Sequence, residues 1–200
     1  MFYLKKNQVP ICIVNVCILL FFTILFIRRR NYEFILYIGV ILFFLLIILL
    51  TNKKVQYSNF LLWGLTLWGF MHLAGGGLYI KGIKLYEYIL FPLSELYHIF
   101  KYDQLVHIIG FGVSTLIMYH LIKPHLKQTS EKVALSIVVV MAGLGVGALN
   151  EIIEFFVTVI VPETGVGGYA NTSLDLVSDL IGACIALIII RVVPNVRSKH

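Results

Sequence analysis

Six apolar runs are spaced along the chain, each about long enough to cross a bilayer as a helix and each closed by charged or glycine-rich residues. The first, 9–27, follows Lys5 and Lys6 and is closed by Arg28, Arg29 and Arg30. A cleaved signal peptide would show a small-residue pattern after its apolar stretch; the Arg triplet stands there instead and predicts a retained helix. The second run, 34–50, is closed by Asn52, Lys53 and Lys54, and the third, 60–80, carries Gly75, Gly76 and Gly77 in its tail. A fourth helix is expected over 103–122, a fifth over 133–161 and a sixth over 174–193. The fifth exceeds the roughly 20 residues that a span needs, so it tilts or its last turns project from the bilayer.

Residues 83–102 break this pattern. Lys84, Glu87, Glu95, His98 and Lys101 stand among Tyr86, Tyr88, Phe91, Tyr97 and Phe100, with Pro92 in the middle. The segment is too charged to span, and its aromatic side chains suit the membrane interface. The expected architecture is therefore all-α: a single integral-membrane domain over residues 1–200, with about six transmembrane helices in a polytopic bundle and one interfacial aromatic segment. Gly143 with Gly147, and Gly182 with Ala186, form small faces that let helix backbones approach closely. No strand precedes these glycines, so packing explains them better than a phosphate cradle does.

Composition narrows the class without changing the picture. The chain is 60% hydrophobic and 13% charged, with a mean hydropathy of +0.93, which excludes a soluble globule. The net charge of +6 does not point to nucleic acid, because Lys and Arg sit in short clusters between apolar runs rather than on a basic face. They act as topology anchors. With the N-terminus inside, one side collects Lys5, Lys6, Lys53, Lys54, Lys123, Lys127, Lys132, Arg191, Arg197 and Lys199, while Arg28 to Arg30, Lys81, Lys84 and Lys101 fall outside. That excess places both termini in the cytoplasm, although the Arg triplet argues the other way. Cys12, Cys17 and Cys184 lie in apolar stretches without disulfide or zinc spacing and read as core residues.

Chemistry concentrates in three pairs. Asp103 and His107 are four apart on the fourth helix, Glu151 and Glu154 three apart on the fifth, and Asp175 and Asp179 four apart on the sixth, so each pair shares a helix face. Chain direction puts all three pairs in one leaflet, the outer one on this topology, with His72 in the same half. Ionisable side chains at such depth are costly and mark functional sites by default.

Plainer readings compete at several positions. Thr172 and Asp175 have capping-box spacing, and Asp103 opens its helix where an acid suits the dipole. His107 could simply bond a neighbouring helix. Glu151 and Glu154 resist such explanations, since two ionised carboxylates there would repel without a cation, a proton or a basic partner. His98, His120, His125 and His200 lie near or beyond helix ends and read as surface residues. The loop 162–173, with Gly165, Gly167 and Gly168 and no Lys or Arg, is suited to a flexible lid or a backbone surface near the site. Its Asn171-Thr172-Ser173 also fits the glycosylation pattern, a short and common match.

Four separated signatures carry a resemblance: His72 with Gly75-Gly76-Gly77; Tyr102-Asp103-Gln104-Leu105-Val106-His107; Asn150-Glu151-Ile152-Ile153-Glu154; and Gly167-Gly168-Tyr169-Ala170-Asn171-Thr172 leading to Asp175 and Gly182. Together, in order over roughly the last two-thirds of the chain, they resemble the YjdF-like bacterial inner-membrane proteins. More distantly the chain is similar to the VanZ-like proteins, some of which are associated with glycopeptide-antibiotic tolerance. There the position of Glu154 is commonly Gln, and relatives often carry Asn where Asp179 stands. The resemblance implies a bacterial plasma-membrane location but supplies no reaction.

Three functions are compatible with these residues. The first is a membrane enzyme in which His72, Asp103, His107, Glu151, Glu154, Asp175 and Asp179 hold a divalent metal, with His107, Glu151 and Glu154 as catalytic groups acting on a lipid or cell-envelope substrate. The second is a proton- or cation-coupled transporter, for which a homodimer of six-span chains would suffice. The third is a scaffold held by polar contacts, at about 0.6 kcal/mol per contact an expensive use of five acids. Convergence from three or four helices favours the first.

Overall fold

Proline near the start and a left-handed residue after the end delimit the first helix. Pro10 lies in the opening turn of α1 (Val9–Arg29), where a missing N–H costs nothing, and Arg30 closes it at φ 53°. Asn31 then caps α2 (Tyr32–Val55), its side chain accepting from the Phe34 N–H, and Gln56 ends it at φ 57°. Ser58 caps α3 (Asn59–Gly77) through the Leu61 N–H. Three further helices follow: α4 (Tyr102–Ile122), α5 (Lys132–Ile160) and α6 (Tyr169–Val192). This computed structural model describes residues 3–94, 96, 99–126, 132–162 and 164–193. Glu95, Tyr97, His98, Lys127, Arg197, Lys199 and His200 lie outside the described residues.

The chain is thus an all-α polytopic membrane bundle. Among the described residues, five helices, all but α3, are long and apolar enough to cross a membrane. At 19 residues α3 has the length, but Trp63, Thr66, Trp68 and His72 dilute its apolar character. The charged segment before α4 forms two small antiparallel ribbons. β1 (Tyr79–Ile80) pairs with β2 (Ile83–Lys84) across Lys81 and Gly82, both at positive φ as a tight hairpin turn requires. β3 (Ile89–Ser94) pairs with β4 (Ile99–Lys101). Pro92 has no N–H to give that ladder, and the register shifts between Ile89 and Ser94, the stretch that contains it.

Contacts group the chain into two units, Met1–Tyr88 with Phe155–Val166, and Ile89–Glu154 with Gly167–His200. In the first, Phe22, Phe26 and Phe34 are buried among α1, α2 and α3, and Gly76 leaves room for the Phe34 ring where any side chain would collide. Amide side chains tie the same helices: Asn15 donates to Thr66 Oγ1 at 2.7 Å, and Asn52 to Gln8 Oε1 at 2.7 Å. Glu33, buried in the first turn of α2, accepts the Gly165 N–H at 2.9 Å.

In the second unit α4 and α6 meet backbone to backbone. A methyl at Gly182 would strike the Ile108 carbonyl and lie 2.9 Å from the Gly112 nitrogen, while Ala183 and Ala186 are fully buried. The glycines of α5 serve the same purpose. Gly143 faces Thr115 of α4 and Ala183 of α6, and Gly147 faces the carboxylate of Asp179. Small residues at these crossings let three polar faces converge, which bulkier side chains would hold apart.

Candidate intramembrane acid and histidine site

The N-terminus of α4 sets the first two groups. The Lys101 N–H is accepted by the Gln104 side chain, which leaves Asp103 in the first turn and His107 one turn deeper. His107 is buried, and its Nε2 lies 3.8 Å from Asp103 Oδ1. Asp103 does open its helix, as the capping reading expects, yet its carboxylate also faces the imidazole.

On α6 the capping reading fails. The helix begins at Tyr169, five residues before the expected 174, with Gly168 at its N-cap and no side chain closing the cap. Asp175 therefore sits in the second turn, and Thr172 with Asp175 is not a capping box. The sequence pattern starts this helix late because Ala170 to Ser173 are small or polar, and periodic apolar residues begin only at Leu174. Asn171, in the first turn, bonds forward: its Nδ2 donates to Asp175 Oδ2 at 2.5 Å and reaches Asp103 Oδ2 at 3.4 Å. Asp175 and Asp179 are both 0% exposed.

His107 is the junction. Its Nδ1 lies 2.8 Å from Asp179 Oδ1, so the imidazole bridges α4 and α6. Two groups of possible ligand atoms share it, each within 4.8 Å: Asp103, His107 and Asp175, and His107, Glu151 and Asp179. Five of the seven expected residues thus meet on three helices. Glu154 stands one turn beyond Glu151 in neither group, where its Oε1 accepts from Asn150 Nδ2 at 2.9 Å. His72 belongs to the first unit and also to neither group; its Nδ1 lies 2.6 Å from the Tyr86 hydroxyl, with Phe34, Tyr37 and Trp68 packed around the ring. His120 and His125 lie at the end of α4 and in the 3-10 turn after it, away from the cluster.

Three carboxylate oxygens are buried without a hydrogen-bond partner among the described residues: Glu151 Oε1, Asp175 Oδ1 and Asp179 Oδ2. Buried acceptors are nearly always satisfied, so three around one imidazole mark a place for protons or a cation. Carboxylate oxygens with a single imidazole suit a hard or borderline divalent ion. A proton on Nδ1, shared with Asp179, would leave Nε2 as the ligating nitrogen beside Asp103, an arrangement in which a carboxylate orients a metal-bound histidine.

Asn171 is the residue that pattern reading missed, although its spacing of four from Asp175 was a usable signal. If the cluster holds a divalent cation, Asn171→Ala is expected to leave the fold intact and to weaken cation affinity by about 10-fold, the lower range for loss of an orienting partner. Equilibrium dialysis would measure it, and an unchanged affinity would remove Asn171 from the site.

The family model described as Predicted membrane protein (DUF2238) matches residues 10–195. The chain belongs to this family. All the site residues fall within the matched span, as do the six long helices except the first residue of α1. No curated protein and no solved structure matches the chain.

Proposed function

We propose that this member of the family is a bacterial plasma-membrane protein that binds a divalent cation at Asp103, His107 Nε2 and Asp175 and uses it on a lipid or cell-envelope substrate. The supporting observation is the set of three unpartnered buried carboxylate oxygens around one imidazole. Asp179 would hold the histidine tautomer, Asn171 would hold Asp175 and Asp103, and Glu151 would take a proton from a cation-bound water. The motif order shared with the YjdF-like proteins supports a kinship with them, and the count of basic loop residues supports cytoplasmic termini.

The test is metal content and stability of the purified protein. About one Mn²⁺ or Zn²⁺ per chain is expected, and at 100 times the dissociation constant it should stabilise the fold by about 2.7 kcal/mol. No bound metal, and no thermal shift with Mg²⁺, Mn²⁺, Zn²⁺ or Fe²⁺, would refute the reading.

A further inference from the structure

At the other end of the second unit lies a basic groove. Tyr119 on α4, Lys132 and Ser136 on α5 and Leu187 and Arg191 on α6 line a cavity of about 460 Å³. Twelve residues separate His107 from Tyr119 and Asp179 from Arg191, so the groove lies about 18 Å along the helices from the acid cluster. That distance carries it towards the opposite face of a bilayer whose hydrocarbon is about 30 Å thick.

Among the described residues, the lining carries these two cations and no carboxylate. Arg191 Nη2 donates to Ser136 Oγ at 2.7 Å, and that hydroxyl donates to the Lys132 carbonyl at 2.6 Å. The guanidinium is therefore oriented by a neutral group, and no described residue of the lining carries a negative charge to offset it. Lys132 is the first described residue of α5. Next to the groove, sharing Val139, is a second cavity of about 310 Å³ lined by apolar residues that include Met118, Leu121 and Ala142. A free hydrated anion has no use for that apolar extension, whereas an acyl chain does.

We propose that this groove holds the phosphate of an anionic membrane phospholipid between Lys132 and Arg191, with one acyl chain lying in the apolar cavity beside Val139. Ser136 positions Arg191 for the phosphate. The site is independent of the cation site and would persist if that reading failed.

Thermal unfolding of the full chain in a neutral detergent tests it, with added phosphatidylglycerol, phosphatidylcholine or inorganic phosphate. Phosphatidylglycerol is expected to raise the midpoint by about 5 °C, a shift within reach of one specific ligand for a chain of this size. Phosphatidylcholine and inorganic phosphate should each give less than about a fifth of it, and the double variant Lys132→Gln/Arg191→Gln should lose most of it. Full retention in the double variant, an equal response to phosphatidylcholine, or the same shift from inorganic phosphate would overturn the proposal. If the double variant does not fold, Lys132→Gln decides alone: about half the shift should go, and complete retention overturns it.

Discussion

His107→Ala is expected to lower divalent-cation affinity by more than about 100-fold, beyond the 10- to 100-fold typical when only an orienting partner is lost. The reason is its central place: Asp103 and Asp175 lose the only nitrogen of their group, and Glu151 and Asp179 lose the imidazole they share with it. Removal also deprives the Asp179 carboxylate of its partner on α4, leaving a buried acid beside other acids. Asp179→Asn separates the two roles, since an amide can still meet Nδ1 but cannot hold the same tautomer. Its affinity should fall within the 10- to 100-fold range. Equilibrium dialysis with Mn²⁺ on folded variants measures both. Should His107→Ala bind as tightly as the parent, the imidazole is a packing group and the proposed centre fails with it.

The second large effect needs no polar atom. Gly182→Leu is expected to prevent α4 and α6 from pairing, and Gly182→Ala to cost about 1–3 kcal/mol, the range for forcing extra carbon into a filled contact. A methyl here meets the Ile108 carbonyl and the Gly112 backbone, neither of which can rotate away as a flexible side chain would. Unfolding in mixed detergent and sodium dodecyl sulfate would report the loss, and cation binding should decline with it because His107 and Asp179 ride on these two helices. A Gly182→Ala protein as stable as the parent would mean that the helices are farther apart than their backbones indicate.

Hydrophobic runs made the six long helices legible, and five of them are apolar enough for a span, which needs an unbroken apolar stretch whatever its neighbours. The start of α6 was not, since its polar first turn looks like loop until Asn171 and Asp175 are seen to bond within it. The two ribbons were hidden for related reasons: Tyr79 and Ile80 of β1 continue the third apolar run, and the charge of residues 83–102 excludes a span but does not select between strand and turn. At the site, helical spacing puts each pair of ionisable residues on one helix face, yet it carries no information on which helices touch. Hence His72 is engaged by Tyr86 within the first unit, and Glu154 lies a turn away from the one group that contains Glu151. The contact partners are set by where glycine permits approach, a property of three helices at once.

Gly147 gives this centre a determinant with no functional group of its own. Its bare α-carbon is the seat of the Asp179 carboxylate, so even alanine at 147 would unseat an acid that is untouched in sequence. Inventories of ligands alone would score such a protein as intact while its imidazole had lost its anchor.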